Sequence, residues 1–335
     1  MVKAKVWNYM KPFEGWPKKT DVELVEEEMR PIEDGEFLAQ AMFLSVDPFM
    51  RGLSEKFTIG EPIWGTQVAR IIESKNEEFP VGKLVVLRAG WRTYSISNGK
   101  KEPPTLPEPY LLPDIGDLCP SVGVGVLGMP GNTAYFLFLE LCQPKEGDTV
   151  VVTAAAGAIG SIVGQIGKIY GCNVIGIAGS NEKGEWLVKE LGFDHFINYK
   201  VDDIDAKLKK IAPQGVDCFF DSVGGKTAEI IYGHMNNNGR VAQNGSISNY
   251  NKEKPDYSLS MSIQKAIQEK NLSAKALGVY CRSKDWMTGI NQLHTWVNEG
   301  KIKYKESIVD GIENMFDLFV DMLKGKTTGK AVIRA

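Results

Sequence analysis

The sequence predicts an α/β protein in which a doubly wound parallel sheet is inserted into a β-rich domain. Three observations predict it. Residues 1 to about 120 hold short apolar runs broken by Pro, Gly and acidic clusters; from about Gly125 strands alternate with short helices; after about residue 300 the pattern reads β, α, β. A length of 335 residues exceeds what one compact core fills, so two domains are expected.

In the first region, 37–44, 68–72 and 83–87 read as strands of a folded-over barrel, and 102–113, with five prolines, as a surface loop. In the second, 148–153 is an apolar strand, 161–170 a helix, 173–178 a strand and 182–191 a helix. A strand over 193–199, a helix over 204–211, a strand over 216–221, a helix over 227–236 and a strand over 239–243 complete it. Such alternation calls for right-handed βαβ units in a parallel sheet. The tail reads as a strand over 304–309, a helix over 312–323 and a strand over 331–334, and can rejoin the first domain. The expected division is 1–125 with 306–335 as the β-rich domain and 126–305 as the inserted one.

With 39 Lys+Arg against 42 Asp+Glu, the net charge is −3, which leaves no basic footprint for nucleic acid or an anionic membrane. An apolar share of 43% excludes disorder as the main state. The opening ten residues have no apolar core of a secretory signal, and the most apolar stretch, 121–141, is interrupted by Gly123, Gly125, Gly128, Pro130, Gly131 and Asn132. The five cysteines are scattered and never form C-x-x-C, so reduced, mostly buried thiols are expected in a cytoplasmic protein.

The strongest local signal is the strand ending at Thr153 followed by Ala154-Ala-Ala-Gly157-Ala-Ile-Gly160. Set against G-x-G-x-x-G, Ala155 stands in the first glycine's place, and Gly157 and Gly160 in the second and third. The first position wants a small residue for a tight turn; Gly157 lets backbone N–H groups approach a pyrophosphate; Gly160 lets the helix pack on the strand. The helix from about Ser161 turns its positive end towards the phosphates. A plain tight turn is the alternative, and Ala155 is the departure that favours it.

A site for NAD places Asp or Glu about 20 residues further on, where it bonds the ribose 2′-OH. Here that strand ends Ile177-Ala178-Gly179-Ser180-Asn181, with no carboxylate; Lys183 follows at once, and Tyr199-Lys200 closes the next strand. Missing acid and nearby cations suit a 2′-phosphate, hence NADP(H), although a lysine after a strand taken alone reads as solvated surface. His195, His234 and His294 and the isolated cysteines offer no zinc spacing, and no H-E-x-x-H, G-x-S-x-G or P-loop pattern occurs. A hydride enzyme without a Lewis acid suits a conjugated acceptor, whose developing oxyanion hydrogen bonds can hold.

The chain resembles the medium-chain dehydrogenase/reductase superfamily, and within it the zinc-free prostaglandin reductase and leukotriene 12-hydroxydehydrogenase group of alkenal/one oxidoreductases. The resemblance rests on Ser45-Val-Asp-Pro-Phe-Met-Arg51, Gly65-Thr-Gln-Val-Ala69, Val126-Leu-Gly-Met-Pro-Gly-Asn-Thr-Ala-Tyr135, 154–160, Phe220-Asp-Ser-Val-Gly-Gly225, Gly239-Arg240 and Gly300-Lys-Ile-Lys-Tyr-Lys305. Where zinc dehydrogenases carry Gly-His-Glu, this chain has Gly65-Thr66-Gln67. The resemblance implies a GroES-like catalytic domain made by both chain ends, with a Rossmann domain between and the cofactor in the cleft. It implies that Gly157, Ala158, Ile159 and Gly160, with Ala155, hold the pyrophosphate, and that Lys183 and Tyr199 contact the adenosine ribose phosphate. It implies that Asn244, Gly245 and Ser246 through Tyr250 pass beside the nicotinamide half, and that a strand of Leu277, Gly278 and Val279 meets the carboxamide. Ser222 and Thr327 stand where the group often has Asn; Phe49 stands where many relatives have Tyr, and 263–276 lacks the second Tyr common there.

The implied reaction is NADPH-dependent reduction of the carbon–carbon double bond of an α,β-unsaturated ketone or aldehyde, by a homodimer acting on a small apolar enone or enal. Hydride goes to the β-carbon and a proton to the α-carbon; no residue is assigned as the acid. Trp64, Met50, Met129 and Tyr250 read either as pocket lining or as ordinary core. The alternatives are an NADPH quinone reductase of the same superfamily and a non-catalytic dinucleotide-binding relative.

Overall fold

The computed structural model describes residues 2–101 and 106–335. Contacts divide the chain into two compact units, Met1–Gly128 with Glu306–Ala335, and Met129–Lys305. The first seam follows Gly128 rather than residue 125, because Leu127 N–H bonds back to Val122 O (2.9 Å) and Gly128 N–H to Gly125 O (3.1 Å).

The first unit opens with an antiparallel pair, β1 (Lys3–Tyr9) and β2 (Val22–Glu28), which the sequence pattern did not announce. Acidic residues at Glu23, Glu26, Glu27 and Glu28 hide the strand period in β2. The expected runs form β3 (Phe37–Val46), β4 (Gln67–Ser74) and β5 (Leu84–Leu87), joined by β6 (Tyr94–Ser97) and β7 (Tyr110–Leu111). All pair antiparallel, and Phe37, Ala39, Ile71, Val85 and Leu87 fill a core between them. A one-turn helix, α1 (Phe49–Gly52), follows β3 and buries Met50. Of the expected surface loop over 102–113, residues 102–105 lie outside the described residues; the rest is not a surface loop. Leu106 and Glu108 are buried, and Tyr110 and Leu111 pair with Val86 and Val85.

The second unit begins with α2 (Met129–Leu137) and alternates thereafter: β8 (Thr149–Val152), α3 (Gly160–Ile169), β9 (Asn173–Ala178), α4 (Asn181–Lys189), β10 (His195–Asn198), α5 (Ile204–Ile211), β11 (Val216–Asp221) and α6 (Gly225–His234). It continues through β12 (Met235–Gln243), the short α7 (Ile247–Tyr250), α8 (Met261–Glu269), β13 (Ser273–Ala276) and α9 (Trp286–Asn298). β12 starts at Met235, not 239, because Met235 already pairs with Val216 ahead of a bulge. The sheet order is β10-β9-β8-β11-β12-β13, every pair parallel, so the winding reverses between β8 and β11. At such a reversal the loops leaving the strands' carboxyl ends diverge and open a crevice. Helices sit tightly on the sheet where glycine replaces a side chain: a Cβ on Gly164 would fall 1.9 Å from Phe193 Cζ, and one on Gly184 2.0 Å from Phe196 Cδ2.

The tail, β14 (Glu306–Asp310), α10 (Met315–Leu323) and β15 (Lys330–Arg334), belongs to the first unit: β15 lies parallel to β14 and antiparallel to β3. At that junction the buried Lys330 ammonium donates to Val46 O (2.6 Å), Asp47 Oδ1 (3.0 Å) and Ala331 O (3.0 Å). Desolvation pushes the lysine below its usual pKa, opposed by Asp47. All five cysteines are free; Cys142, Cys172 and Cys218 are buried, Cys119 and Cys281 exposed. His234 bonds Asp205 and His294 bonds Asn298, while His195 is exposed at the start of β10.

Candidate dinucleotide site

The turn from β8 into α3 is built to be tight. Ala154 takes a left-handed φ of +48°, which reverses the chain at the strand's end. Ala155 N–H then bonds Ile177 O at 3.0 Å, pressing Ala155 against β9, where Gly176 makes room: a Cβ there would meet Ala155 Cβ at 3.1 Å and Leu187 Cδ1 at 2.7 Å. That contact explains why alanine serves in the first glycine's place. A Cβ on Gly160 would stand 2.5 Å from Ala154 O, and one on Gly157 3.1 Å from it, both against backbone that has nowhere to go. Ala158 and Ile159 are half-buried between them. No side chain caps the N-terminus of the ten-residue α3. Ser161 N–H bonds Gly157 O (3.1 Å) and Ile162 N–H bonds Ile159 O (3.0 Å), so the turn winds straight into the helix, whose dipole adds positive potential at 157–160. The glycine-lined, uncapped turn fits a diphosphate.

The ends of β9 and β10 form a second feature. Ser180 caps α4 by accepting the Lys183 N–H at 3.2 Å, which plants the Lys183 side chain in the first turn. Asn198 Nδ2 donates to Asn181 Oδ1 at 2.9 Å and ties the two strand ends together. Tyr199 lies over Gly179, where a Cβ would come within 3.1 Å of its hydroxyl, and remains half-exposed. Lys200 Nζ sits 6.0 Å from the centre of the Tyr199 ring. Lys183 is pushed below its usual pKa first by burial and then by Lys200, with Glu182 acting weakly the other way. Two cations crowd one corner; a dianionic phosphate would relieve that repulsion. The structure brings Lys183 and Tyr199 together, and adds Lys200.

A third group gathers the turns after β11 and β12. Asn244 and Gly245 donate their N–H groups to Asp221 O (2.7 and 3.2 Å), and Asn244 Nδ2 donates to Ser222 Oγ at 3.0 Å. Asn249 Nδ2 bonds Ser246 Oγ at 2.7 Å. Tyr250 folds back so that a Cβ on Gly245 would lie 3.2 Å from its hydroxyl, and burial pushes that phenol up. Ser222, Asn244, Gly245, Ser246 and Tyr250 therefore form one cluster.

Leu277, Gly278 and Val279 are not a strand. β13 stops at Ala276, and Gly278 leads into a short 3₁₀ segment, its carbonyl accepting the Cys281 N–H at 3.0 Å. Gln243 pairs with Ala276, so this segment leaves the sheet in register with Asn244. Thr327 lies in the first unit, in the coil before β15. Met50 is core, fully buried. Gln67, which stands in the place of the glutamate of Gly-His-Glu, is fully buried; its Nε2 donates to Gly90 O and Arg92 O (3.3 and 3.4 Å). Among the described residues no cluster of His, Cys, Asp or Glu could hold a metal ion. Also among them, no helix is long and apolar enough to cross a membrane.

The sequence reading passed over Thr153 and Asp221 as site residues. Each is a polar residue closing an apolar strand, and both are buried at the reversal between β8 and β11.

A glycine cradle at a helix N-terminus, at the reversal of a doubly wound sheet, defines a dinucleotide-binding oxidoreductase of the medium-chain type. Residues 5–103 match the family model described as the N-terminal domain of oxidoreductase, and 158–295 that of zinc-binding dehydrogenase. The chain is 45% identical to prostaglandin reductase 1 of Bos taurus, covering 100% of both chains. It is 35% identical to the NADP(+)-dependent 2-alkenal reductase of Nicotiana tabacum, over 95% of this chain and 94% of that one. The crystal structure of CurA from Vibrio vulnificus in complex with NADPH superposes with a TM-score of 0.91 at 35% identity, over 99% of each chain. The chain belongs to the zinc-free prostaglandin reductase group of the medium-chain dehydrogenase/reductase superfamily.

Proposed function

We infer that the protein is an NADPH-dependent reductase of the carbon–carbon double bond of α,β-unsaturated ketones and aldehydes. The carrying observation is the pair of lysines, Lys183 and Lys200, beside Tyr199 where β9 ends without a carboxylate, which suits a 2′-phosphate, next to a glycine turn that fits a diphosphate. Full-length likeness to prostaglandin reductase 1 supports the choice of a conjugated substrate. Bound NADPH supplies hydride for the β-carbon of that substrate.

The chain's own residues bind and orient. Ala158, Ile159 and Gly160 hold the diphosphate through backbone N–H groups, Ala155 and Gly157 shape the turn with their own N–H groups on Ile177 O and Ala154 O, and Lys183 with Tyr199 selects the phosphorylated ribose. Ser222, Asn244, Gly245, Ser246 and Tyr250 take the nicotinamide half, together with Leu277, Gly278 and Val279. The substrate is a small apolar enone or enal. The five free thiols support a reducing compartment, the cytoplasm, and the group's habit supports a homodimer.

The test is oxidation of NADPH and of NADH by the purified protein with a non-quinone enone, a 2-alkenal and a simple quinone. Turnover of enone and enal with NADPH is expected; turnover of quinone alone would replace this reading with a quinone reductase. NADPH binding without turnover of any of the three would leave a dinucleotide-binding relative.

A further inference from the structure

At the reversal of the sheet, Thr153 and Asp221 close the neighbouring strands β8 and β11 and are buried together. Thr153 Oγ1 accepts the N–H of Ser222 at 2.9 Å, which leaves its own proton for Asp221 Oδ1, also at 2.9 Å. The same Oδ1 accepts the N–H groups of Val223 (2.9 Å) and Gly224 (3.0 Å). Asp221 O accepts from Asn244 and Gly245 at the end of β12, and Asn244 Nδ2 returns to Ser222 Oγ. One continuous set of bonds thus joins the ends of three strands. From each grows a turn to which the proposed function assigns part of the dinucleotide.

We propose that Thr153 and Asp221 are positioning residues for the dinucleotide, holding the 154–160 turn in fixed register with the 222–225 and 244–250 turns. The proposal rests on the cofactor reading above. Thr153 leads directly into the left-handed Ala154, so the hydroxyl bond fixes where the diphosphate turn begins. Backbone bonds continue one step past the paired ends, Thr153 N–H to Phe220 O (3.1 Å) and Asn244 N–H to Asp221 O (2.7 Å); the Thr153 and Asp221 side chains add the link from the end of β8 to the 222–224 turn. Burial opposes the charge on Asp221 while its three donors favour it, as suits a carboxylate held by hydrogen bonds alone.

The experiment compares wild type, Thr153→Val, Thr153→Ser and Thr153→Ala by fluorescence titration with NADPH and NADH, steady-state reduction of an enone, and thermal melting. Thr153→Val deletes the hydroxyl at nearly constant volume, and Thr153→Ala deletes it where the valine protein does not fold. Both Kd values are expected to rise about ten-fold, the size of a buried donor left unpaired, with the NADPH/NADH ratio unchanged because the node links β8 to β11, on the side of β8 away from β9 and the Lys183 that follows it. At saturating NADPH kcat should stay within about three-fold of wild type, and Thr153→Ser should restore both affinities to within about two-fold. If hydroxyl deletion lowers only the melting temperature and leaves both Kd values within about two-fold, the node is structural and the proposal falls while the cofactor reading stands. A loss confined to NADPH would overturn it too, by placing the effect at the Lys183 corner. Wild type that binds neither nucleotide would overturn the cofactor reading and this proposal with it.

Discussion

Two of the lysines that desolvation pushes below their usual pKa, Lys330 and Lys183, sit in regions built in opposite ways. Where β15 meets β3, Lys330 is enclosed: carboxylate Asp47 and two carbonyls take its three protons, and both side chains are buried. At the ends of β9 and β10, Lys183 is half-buried with a second lysine as neighbour. The first arrangement neutralises a charge inside the fold; the second concentrates charge at a surface corner. A cation that holds the protein together is enclosed by acceptors of the chain, whereas Lys183 shares a half-buried corner with Lys200, and the two together raise the positive potential that an anionic ligand meets there.

The largest effect should come from breaking the enclosed pair. Lys330→Met leaves Asp47 buried without its cation and should destabilise the protein by about 3–5 kcal/mol in denaturant unfolding. The double variant Lys330→Met with Asp47→Asn should recover a large part of that loss, since it removes both charges together. If the double variant is as unstable as the single one, the ammonium's bonds to Val46 O and Ala331 O, not the ion pair, carry the stability.

Next in size is the packing on which the second unit's corner rests. Gly164→Ala drives a methyl to 1.9 Å from the buried Phe193 ring, and overpacking of that kind costs about 1–3 kcal/mol. Gly233→Ala is the matched control: nothing lies within 4 Å of its Cβ position, and the same substitution should be neutral or stabilise by up to about 1 kcal/mol. Equal gains at the two sites in thermal melts would mean that helix propensity, not the Phe193 contact, governs the result.

These two regions also differ in how far they could be read from the sequence. In the second unit the strand and helix periods are clean, so the run from β8 to β12 was legible, down to Asn173–Ala178 and Val216–Asp221 at full length. Periods are local, and so is the glycine turn. The first unit was harder because its strands carry acids on an open face, as β2 does, and because prolines near 106–109 signal a loop whether or not it is buried. The resemblance implied a strand at Leu277-Gly278-Val279, yet the pairing of β12 with β13 ends at Gln243 and Ala276. Lys330–Asp47 and Thr153–Asp221 were illegible for a single reason. Their partners lie 283 and 68 residues apart, and only the strand order brings them together. Lys183 and Tyr199 could be singled out because the absence of an acid over 177–181, at the end of β9, is itself a local signal.

Lys183→Ala sharpens the contrast from the ligand side. It should weaken NADPH binding by about 1–2 kcal/mol and leave NADH nearly untouched, with little change in melting temperature. Equal losses for both nucleotides would place Lys183 with Lys330, as a lysine that supports the fold.

The smallest effect, and the most specific to the cationic corner, is its pH dependence. The protonated Lys183 is the form that attracts a phosphate, so the NADPH Kd should rise as pH climbs through the pKa of the free protein. Burial and Lys200 both lower that pKa from 10.5, so the rise should begin at a lower pH than an ordinary surface lysine would give. NADH, lacking the 2′-phosphate, should show no such rise. Lys200→Met removes one of the two causes, and the onset should then move to higher pH even though overall affinity drops. An onset that stays where it was would mean that Lys200 does not face Lys183, and the corner would then hold one cation rather than two.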